Sequence, residues 1–546
     1  MTDIRLPKRW TPTARNVLHA AAFFVVSFVL FQIWVHRAFQ GHYWGPFLPG
    51  FRFGFPAREA AAFGMFPVTE YGWDAQFYYY QSNDVFATHD SVPHSDNPAY
   101  RYQRIGVPLA AWLISRALGF SLTPPILYHV VQFACFALGF FFLIRYLRAH
   151  GVSVLYAYAW ALSAGVVNCL AFGMPDPVGD AMFIIAVVAC LEGRLLLYVA
   201  ATIFLVLVRE AYVVFAFGVF VLTAMGRVAF GDRPRWLQAL VVGLPGAVFL
   251  GWRKYVTLQI GISPSDAAMG GSLLDWPLLG PWKSFAKAWK SEQWGEIVTL
   301  PLGVVLLAAS TWLIVRHRTK SVWYAVIPYV LLLWGLGTTV WDEYSGYMKA
   351  FGTPLIAGIM CLAYTKSRWW RGLLLVTAAH GVAFQYWVKN KAFFQEWAPP
   401  PPVEAGAQAH EAALKSVAAT LSGPAKSEVW DGFHGIFSRW HIGLRDMIVH
   451  VRNDGDEPWH PLPRAGLHAM NVSYHWYDES GKTLLLDGLR NPIAREIPAK
   501  AEADVKVAVQ VPPPGKYVLR FSMLQEGDSW FYLAGGSSYD VAVEVR

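Results

Sequence analysis

The sequence predicts a polytopic α-helical membrane protein with one all-β domain at its C-terminal end. Three observations carry this. Of 546 residues, 55% are hydrophobic and 15% are charged, against about 25% charged in an average soluble domain. The apolar residues fall in long blocks between Val17 and Val388, and after Pro399 the composition becomes that of soluble protein. The net charge of +8 resides in the first part: from Ala425 onward there are 13 Lys and Arg against 16 Asp and Glu, which leaves 32 against 21 before it. That basic excess lies in short loops at the ends of apolar runs, where the positive-inside rule puts it. Nucleic acid is therefore not an expected partner, and membrane lipids are.

The first run, Val17 to Val35, follows the basic segment MTDIRLPKRWTPTAR and ends in His36-Arg37. It is too long for the apolar core of a signal peptide and has no small-residue cleavage site, so it reads as an uncleaved span with a cytoplasmic N-terminus. Ten more runs follow: Pro125–Leu147, Val152–Phe172, Pro177–Leu191, Leu195–Val208, Ala211–Met225, Trp236–Trp252, Val298–Val315, Ser321–Trp341, Phe351–Tyr364 and Trp370–Val388. Basic clusters at Arg145/Arg148, Arg194, Arg227/Arg233/Arg235, Arg316/Arg318/Lys320 and Lys366/Arg368/Arg371 occupy every second connection. About eleven spans place all of them on the cytoplasmic side. Residues 105–120 (IGVPLAAWLISRALGF) would invert that pattern as a twelfth span. They are short and contain Arg116, so a re-entrant or interfacial helix is expected there.

The expected organisation is a transmembrane domain over residues 1–397, a Pro- and Ala-rich linker and helix over 398–427, and an extracytoplasmic β-sandwich over 428–546. Within the last, short alternating runs (Asp446–Arg452, Met470–Tyr477, Thr483–Leu486, Val505–Val511, Tyr517–Met523 and Val541–Val545) are separated by turn residues. The linker contains Pro399–Pro402 and a helix-compatible stretch, Val403–Leu421. Cys135, Cys169, Cys190 and Cys361 all fall in apolar segments and have neither zinc-type nor redox spacing.

This topology collects the unusual polar residues on the outer face. They are the loop of residues 36–104, the Met174-Pro175-Asp176-Pro177 turn, the Arg209-Glu210 junction, residues 253–297 and the turn before Ala350. The densest constellation is Tyr71-Gly72-Trp73-Asp74-Ala75-Gln76-Phe77-Tyr78-Tyr79-Tyr80, followed by Asp96-Asn97-Pro98-Ala99-Tyr100-Arg101-Tyr102-Gln103-Arg104. A carboxylate among aromatic rings is expected to have its pKa raised toward that of a useful base, and aromatic faces suit sugar rings. The same loop also suits packing on a membrane interface.

The elements D-x-Q-F-Y-Y and N-P-A-Y-R-Y-x-R-I-x-x-P-L-x-A-W-L, with Pro175-Asp176-Pro177 and Arg209-Glu210 further on, resemble bacterial GT-C-type integral membrane glycosyltransferases of cell-surface glycopolymer formation. The resemblance covers most of Val17–Val388. The tail carries Ser473-Tyr474-His475-Trp476, Asp487-Gly488-Leu489-Arg490, Gln525-Glu526-Gly527 and Trp530-Phe531, and it is similar to an immunoglobulin-like domain appended to several bacterial surface-sugar enzymes. The resemblance implies inverting transfer of a sugar from a polyprenyl-phosphate donor to a lipid-linked or cell-surface glycan, lipopolysaccharide among them. It places this at the periplasmic face of a bacterial inner membrane. It makes Asp74 the general base and Arg101, Arg104, Arg209 and Lys349 the cations for the donor phosphate, with Gln76, Tyr78, Tyr79, Tyr100, Asp176 and Glu210 lining the substrate site. Lys349 stands where the family is expected to have Arg, and Asp84 stands near its second acidic place.

Other roles stay open for several of these residues. Asp176 can cap a helix, and Arg209-Glu210 can be a structural ion pair. His89 and His94, with Asp84, Asp90 or Asp96, could ligate a divalent cation, Mg or Mn, as in some enzymes of that family; they can equally be solvated. His475-Trp476 and Trp530-Phe531 can be a sugar platform or the core and edge of a sandwich. Two rival functions are an O-antigen-ligase-like glycan transferase, whose large outer loop typically comes late in the chain, and a transporter or flippase of lipid-linked sugars. Transporters often show repeated halves, and no such repeat is visible here.

Overall fold

The computed structural model describes residues 14–39, 41–50, 53, 56–65, 72–88, 91–267, 274–291, 293–318, 320–342, 344–364, 372–373, 375–380, 417–423, 425–431, 443–459, 470–485, 488–489, 491–493, 496–525 and 529–546. Among these the chain is mostly helical up to Tyr364 and β-rich from Ala419. The helices in chain order are α1 (Ala14–Phe39), α2 (Ala57–Phe63), α3 (Asp74–Gln81), α4 (Pro98–Tyr102), α5 (Gly106–Ala117), α6 (Pro125–Ala149), α7 (Leu155–Ala161), α8 (Ala164–Ala171), α9 (Asp176–Glu192) and α10 (Leu195–Val208). They continue as α11 (Val213–Ala224), α12 (Arg235–Ile260), α13 (Pro264–Ala267), α14 (Leu279–Lys290), α15 (Trp294–Arg316), α16 (Val322–Trp334), α17 (Thr338–Trp341), α18 (Tyr344–Ala350) and α19 (Gly352–Cys361). Five stretches are long and apolar enough to cross a membrane: Ala14–Arg37, Pro125–Ala149, Arg235–Ile260, Trp294–Arg316 and Gly346–Tyr364. Leu195–Val208, Glu210–Ala224 and Val322–Trp334 are shorter apolar helices.

α9 is the hub. Every residue from Asp176 to Cys190 is buried, as expected of a helix that is apolar on all sides. It packs against α6 and α10, while α1 lies on α6 and α11 lies on α12 and α16. The junction at Arg209 is a real break, with an extended backbone (φ −151°, ψ 127°) between α10 and the turn Glu210–Tyr212.

Two expected spans are interrupted. The run Val152–Phe172 forms α7 and α8, separated where Ser163 is extended. Two residues on, a Cβ at Gly165 would sit 2.2 Å from the Met348 carbonyl oxygen, so α8 and α18 meet there backbone to backbone. The run Ser321–Trp341 breaks after Trp334, where the Asp275 amide donates to the Gly335 carbonyl (2.8 Å) and Leu274 bridges Leu336. The expected span Trp370–Val388 lies largely outside the described residues, as do the Pro run and residues 403–416.

The segment expected to be re-entrant or interfacial forms α5. Its 12 residues extend about 18 Å, well short of the roughly 30 Å of a bilayer core. Gly106, Val107, Pro108, Ala111 and Ser115 are buried where α5 packs on α6 and α10, and Leu113, Ile114 and Leu118 are exposed.

The C-terminal part contains β1 (Ala419–Ser422), β2 (Ser427–Trp430), β3 (Gly443–Asn453), β4 (Met470–Asp478), β5 (Thr483–Leu485), β6 (Asn491–Pro492), β7 (Glu502–Val511), β8 (Gly515–Gln525) and β9 (Tyr539–Val545). One sheet has the order β1-β3-β7. The other has the order β2-β9-β8-β4-β5, with β6 also on β4. The end of the expected helix Val403–Leu421 is corrected here: Ala419–Ser422 pairs antiparallel with β3, because Ala419 and Leu421 alternate inward with exposed Thr420 and Ser422. The linker expected over 398–427 therefore already carries a strand of the β region. Tyr474 on β4 accepts the Gln510 amide of β7 (2.8 Å), which ties the two sheets together. Trp476 and Phe531 are fully buried and belong to the core.

A Cβ at Gly106 would lie 2.7 Å from Val208 Cγ2 and 2.9 Å from its backbone nitrogen. Gly106→Val is therefore expected to force α5 off α10 and lower stability by about 1–3 kcal/mol, read as a lower thermal unfolding midpoint in detergent; an unchanged midpoint would refute this contact.

Candidate functional site

Four segments far apart in sequence meet at one end of the helical region: α3 with α4, the start of α9, the Arg209-Glu210 break and the end of α18. Local chemistry prepares each of them. Asp74 opens α3 after an extended Trp73, and a carboxylate in the first turn is favoured by the amide groups there. Asn97 caps α4 by accepting the Tyr100 amide (3.2 Å), and Pro98 occupies the first turn. Arg101 lies in α4, and Arg104 follows in the turn that its amide closes on the Arg101 carbonyl (3.0 Å).

Arg101 is the organising cation. Its Nη2 donates to Asp74 Oδ1 (2.8 Å) and to Asp96 Oδ2 (2.6 Å), and its Nε donates to Asp96 Oδ1 (2.9 Å). The guanidinium lies 5.1 Å from the Phe77 ring centre and 5.8 Å from that of Tyr100. Lys349 Nζ approaches the other oxygen of Asp74 at 3.7 Å. The Asp74 side chain keeps 36% of its surface exposed, against 9% for Arg101, so the carboxylate is the accessible member of the pair.

Arg104 donates through Nε to Glu210 (2.7 Å) and through Nη1 to Tyr78 Oη (3.3 Å), and also contacts Tyr100 Oη. The reason these meet is the Gly106–Val208 approach: two residues before one and two after the other, Arg104 and Glu210 are carried together. Arg209 Nη1 pairs with Asp176 at 2.8 Å. One turn further along α9, Asp180 accepts from Thr353 Oγ1 (2.6 Å), Trp160 Nε1 (3.3 Å) and Tyr212 Oη (3.3 Å). That knot positions α19 and, just before it, Lys349.

Most of the residues named from sequence therefore converge: Asp74, Arg101, Arg104, Arg209, Lys349, Tyr78, Tyr100, Asp176 and Glu210. Gln76, Tyr78 and Tyr79, all expected to line the substrate site, are buried, and of the three Tyr78 reaches the cluster through its hydroxyl at Arg104. Gln76 is fully buried and accepts the Gly50 amide (2.8 Å). Tyr79 is also fully buried, donates to the Thr123 carbonyl (3.0 Å) and stacks on Phe47. Both hold the frame of the loop. Asp84 is likewise internal, accepting from the Thr88 amide (2.9 Å) and Tyr102 Oη (3.3 Å). The sequence reading missed Asp96 as the second anchor of Arg101; its spacing five residues before the arginine, across a capped turn, was the available signal.

The aromatic setting was expected to raise the pKa of Asp74. Burial does push it up, but Arg101 and then Lys349 outweigh burial and hold the carboxyl below its ordinary range. Among the described residues no group of three or more His, Cys, Asp or Glu side chains is arranged to hold a metal ion. His94 Nδ1 contacts the Phe53 carbonyl oxygen (2.8 Å), Asp96 is engaged by Arg101, and His89 and Asp90 lie outside the described residues. No family model, curated protein or solved structure matches this chain.

Because the folded pKa of Asp74 lies below the unfolded value of about 3.9, the stabilisation from its ion pairs is present above that pH and is lost as the pH falls through the folded value. At about pH 5, comparing infrared spectra of the protein and its Asp74→Asn variant should therefore show no protonated carboxyl assignable to Asp74; such a band would overturn this ordering of effects. Arg209→Met, which leaves the buried Asp176 without its cation, should cost about 3–5 kcal/mol, and adding Asp176→Leu should restore part of it in the same unfolding measurement.

Proposed function

We propose that this chain is a GT-C-type integral membrane glycosyltransferase with about eleven spans and a C-terminal immunoglobulin-like sandwich. It moves a sugar from polyprenyl phosphate to a lipid-linked or surface glycan at the periplasmic face of a bacterial inner membrane. The observation that carries the reading is the setting of Asp74: an accessible carboxylate with one oxygen on Arg101 and the other facing Lys349, with Arg104 nearby. Acid and cations within one cluster suit a reaction that takes up a proton and releases a phosphate.

In this reading the acceptor hydroxyl oxygen attacks C1 of the sugar from the face opposite the lipid phosphate. Its proton passes to Asp74 as the new C–O bond forms. The bond from C1 to the phosphate oxygen breaks with its electron pair, and the departing phosphate is held by cations already in place. Lys349 is the first of these, since among the described residues its one ion-pair partner is Asp74. Arg104 and Arg209 are largely committed to Glu210 and Asp176. A donor phosphate that engages Lys349 and the outer edge of Arg101 weakens their hold on Asp74, so donor binding itself raises the basicity that the resting ion pairs suppress.

The test is mass spectrometry of purified protein with polyprenyl-phosphate sugars and glycolipid acceptors. A product heavier by one sugar is expected, with kcat lower by about 10²–10⁴-fold in Asp74→Asn and a higher KM for the donor in Lys349→Met. Full activity of Asp74→Asn removes the base assignment. Folded protein that only moves lipid-linked sugar across a vesicle membrane, without transfer, replaces the enzyme by a carrier.

A further inference from the structure

The segment between α12 and α15 contains a second organised feature, outside the candidate site. α14 is a 12-residue helix, LGPWKSFAKAWK, too short to cross a bilayer. At about 100° per residue its side chains separate into three stripes. Gly280, Pro281, Ser284 and Ala288 are buried, against α15 and α17. Trp282 and Trp289, seven residues apart and so on one line, are 66% and 59% exposed. Lys283, Lys287 and Lys290 form the third stripe, all exposed, roughly a third of a turn from each of the other two; Lys283 also pairs with Asp275 (2.7 Å). A helix in water needs two kinds of face; three faces, one of them tryptophan and one lysine, suit a boundary between protein, lipid and water.

The surroundings place this helix at that boundary. α12 and α15, the elements on either side, are both long and apolar enough to cross a membrane. α15 begins with exposed Trp294, four residues after Lys290, and exposed Trp276 precedes α14. The end of α12 lies on the side of the candidate site, since Trp252 Nε1 donates to the Tyr102 carbonyl (2.8 Å) and Tyr255 Oη to that of Phe86 (3.0 Å). α14 is also firmly attached. A Cβ at Gly280 would meet the Leu336 carbonyl oxygen at 2.2 Å, and Asp342 accepts from Ser284 Oγ (2.5 Å) and Lys287 Nζ (2.7 Å). Asp342 stands seven residues before Lys349.

We propose that α14 is a membrane-surface helix that sets Trp282 and Trp289 into the interfacial layer of the bilayer and turns its lysine stripe to the lipid headgroups, with Lys290 among their phosphates and Lys283 and Lys287 held beside it by Asp275 and Asp342. Through Asp342 it fixes the depth of the α17–α18 segment, and hence of Lys349, relative to the lipid surface. The claim concerns position in the membrane and stands whether or not sugar is transferred.

The test uses the full chain in nanodiscs of phosphatidylglycerol and phosphatidylcholine, with Cys135→Ala to remove the one native thiol that is not buried. An environment-sensitive fluorophore is attached at Trp282→Cys, Trp289→Cys or Lys290→Cys in turn. Lipids brominated near the top of the acyl chain should quench the first two several-fold more than the third, and a headgroup nitroxide should quench the third. Absence of quenching at all three positions, as for a helix in water or covered by protein, overturns the proposal, as does equal quenching of all three by deeply brominated chains. Ala286→Cys, between the tryptophan and lysine stripes, repeats the measurement without removing a tryptophan should either of the first two variants fail to fold.

Discussion

A charge buried at the end of a helix bundle is tolerable only if its counter-charge is brought to it, and here the counter-charge repeatedly arrives from a distant segment. Arg104 finds Glu210, 106 residues on, Arg209 finds Asp176, and Asp74 is approached by Lys349 from the end of α18. Each pair joins two elements that could otherwise slide. The segment between α1 and α5 is therefore clamped to the break between α10 and α11 and to α18, and the site forms where these clamps cross.

Close backbone contacts make the clamps possible. Gly106 lets α5 meet Val208, Gly165 lets α8 meet Met348, and Gly352 brings α19 against Asp180, whose carboxylate oxygen would stand 1.9 Å from an added Cβ. Each of these glycines lies within a few residues of a charged group of the site or contacts one directly. Packing of this kind, with small residues at helix crossings, is what a bundle in lipid relies on where water supplies no hydrophobic drive between helices.

Within this frame Asp74 is held ready and held back. Arg101 fixes its orientation through a guanidinium that Asp96 and the rings of Phe77 and Tyr100 immobilise. The same cation lowers the affinity of the carboxylate for a proton. An anion that competed for Arg101 or Lys349 would raise the affinity of the Asp74 carboxylate for a proton.

Much was readable from residue order alone. The apolar runs and basic clusters indicated a membrane protein, and the alternating runs after Glu428 indicated strands. The Arg209-Glu210 break followed from two charges that an apolar helix would not carry through. Periodicity is local, so the sequence by itself determined it. It could not show that Gln76 and Tyr79 turn inward to hold Gly50 and Thr123, that Asp96 shares Arg101, or that Val152–Phe172 breaks at Ser163. Nor could it order burial against ion pairing at Asp74, since that balance depends on distances to Arg101 and Lys349 that no spacing encodes. Those outcomes were decided by the tertiary structure, because burial and electrostatics depend on which distant segments are brought within a few ångströms of each other.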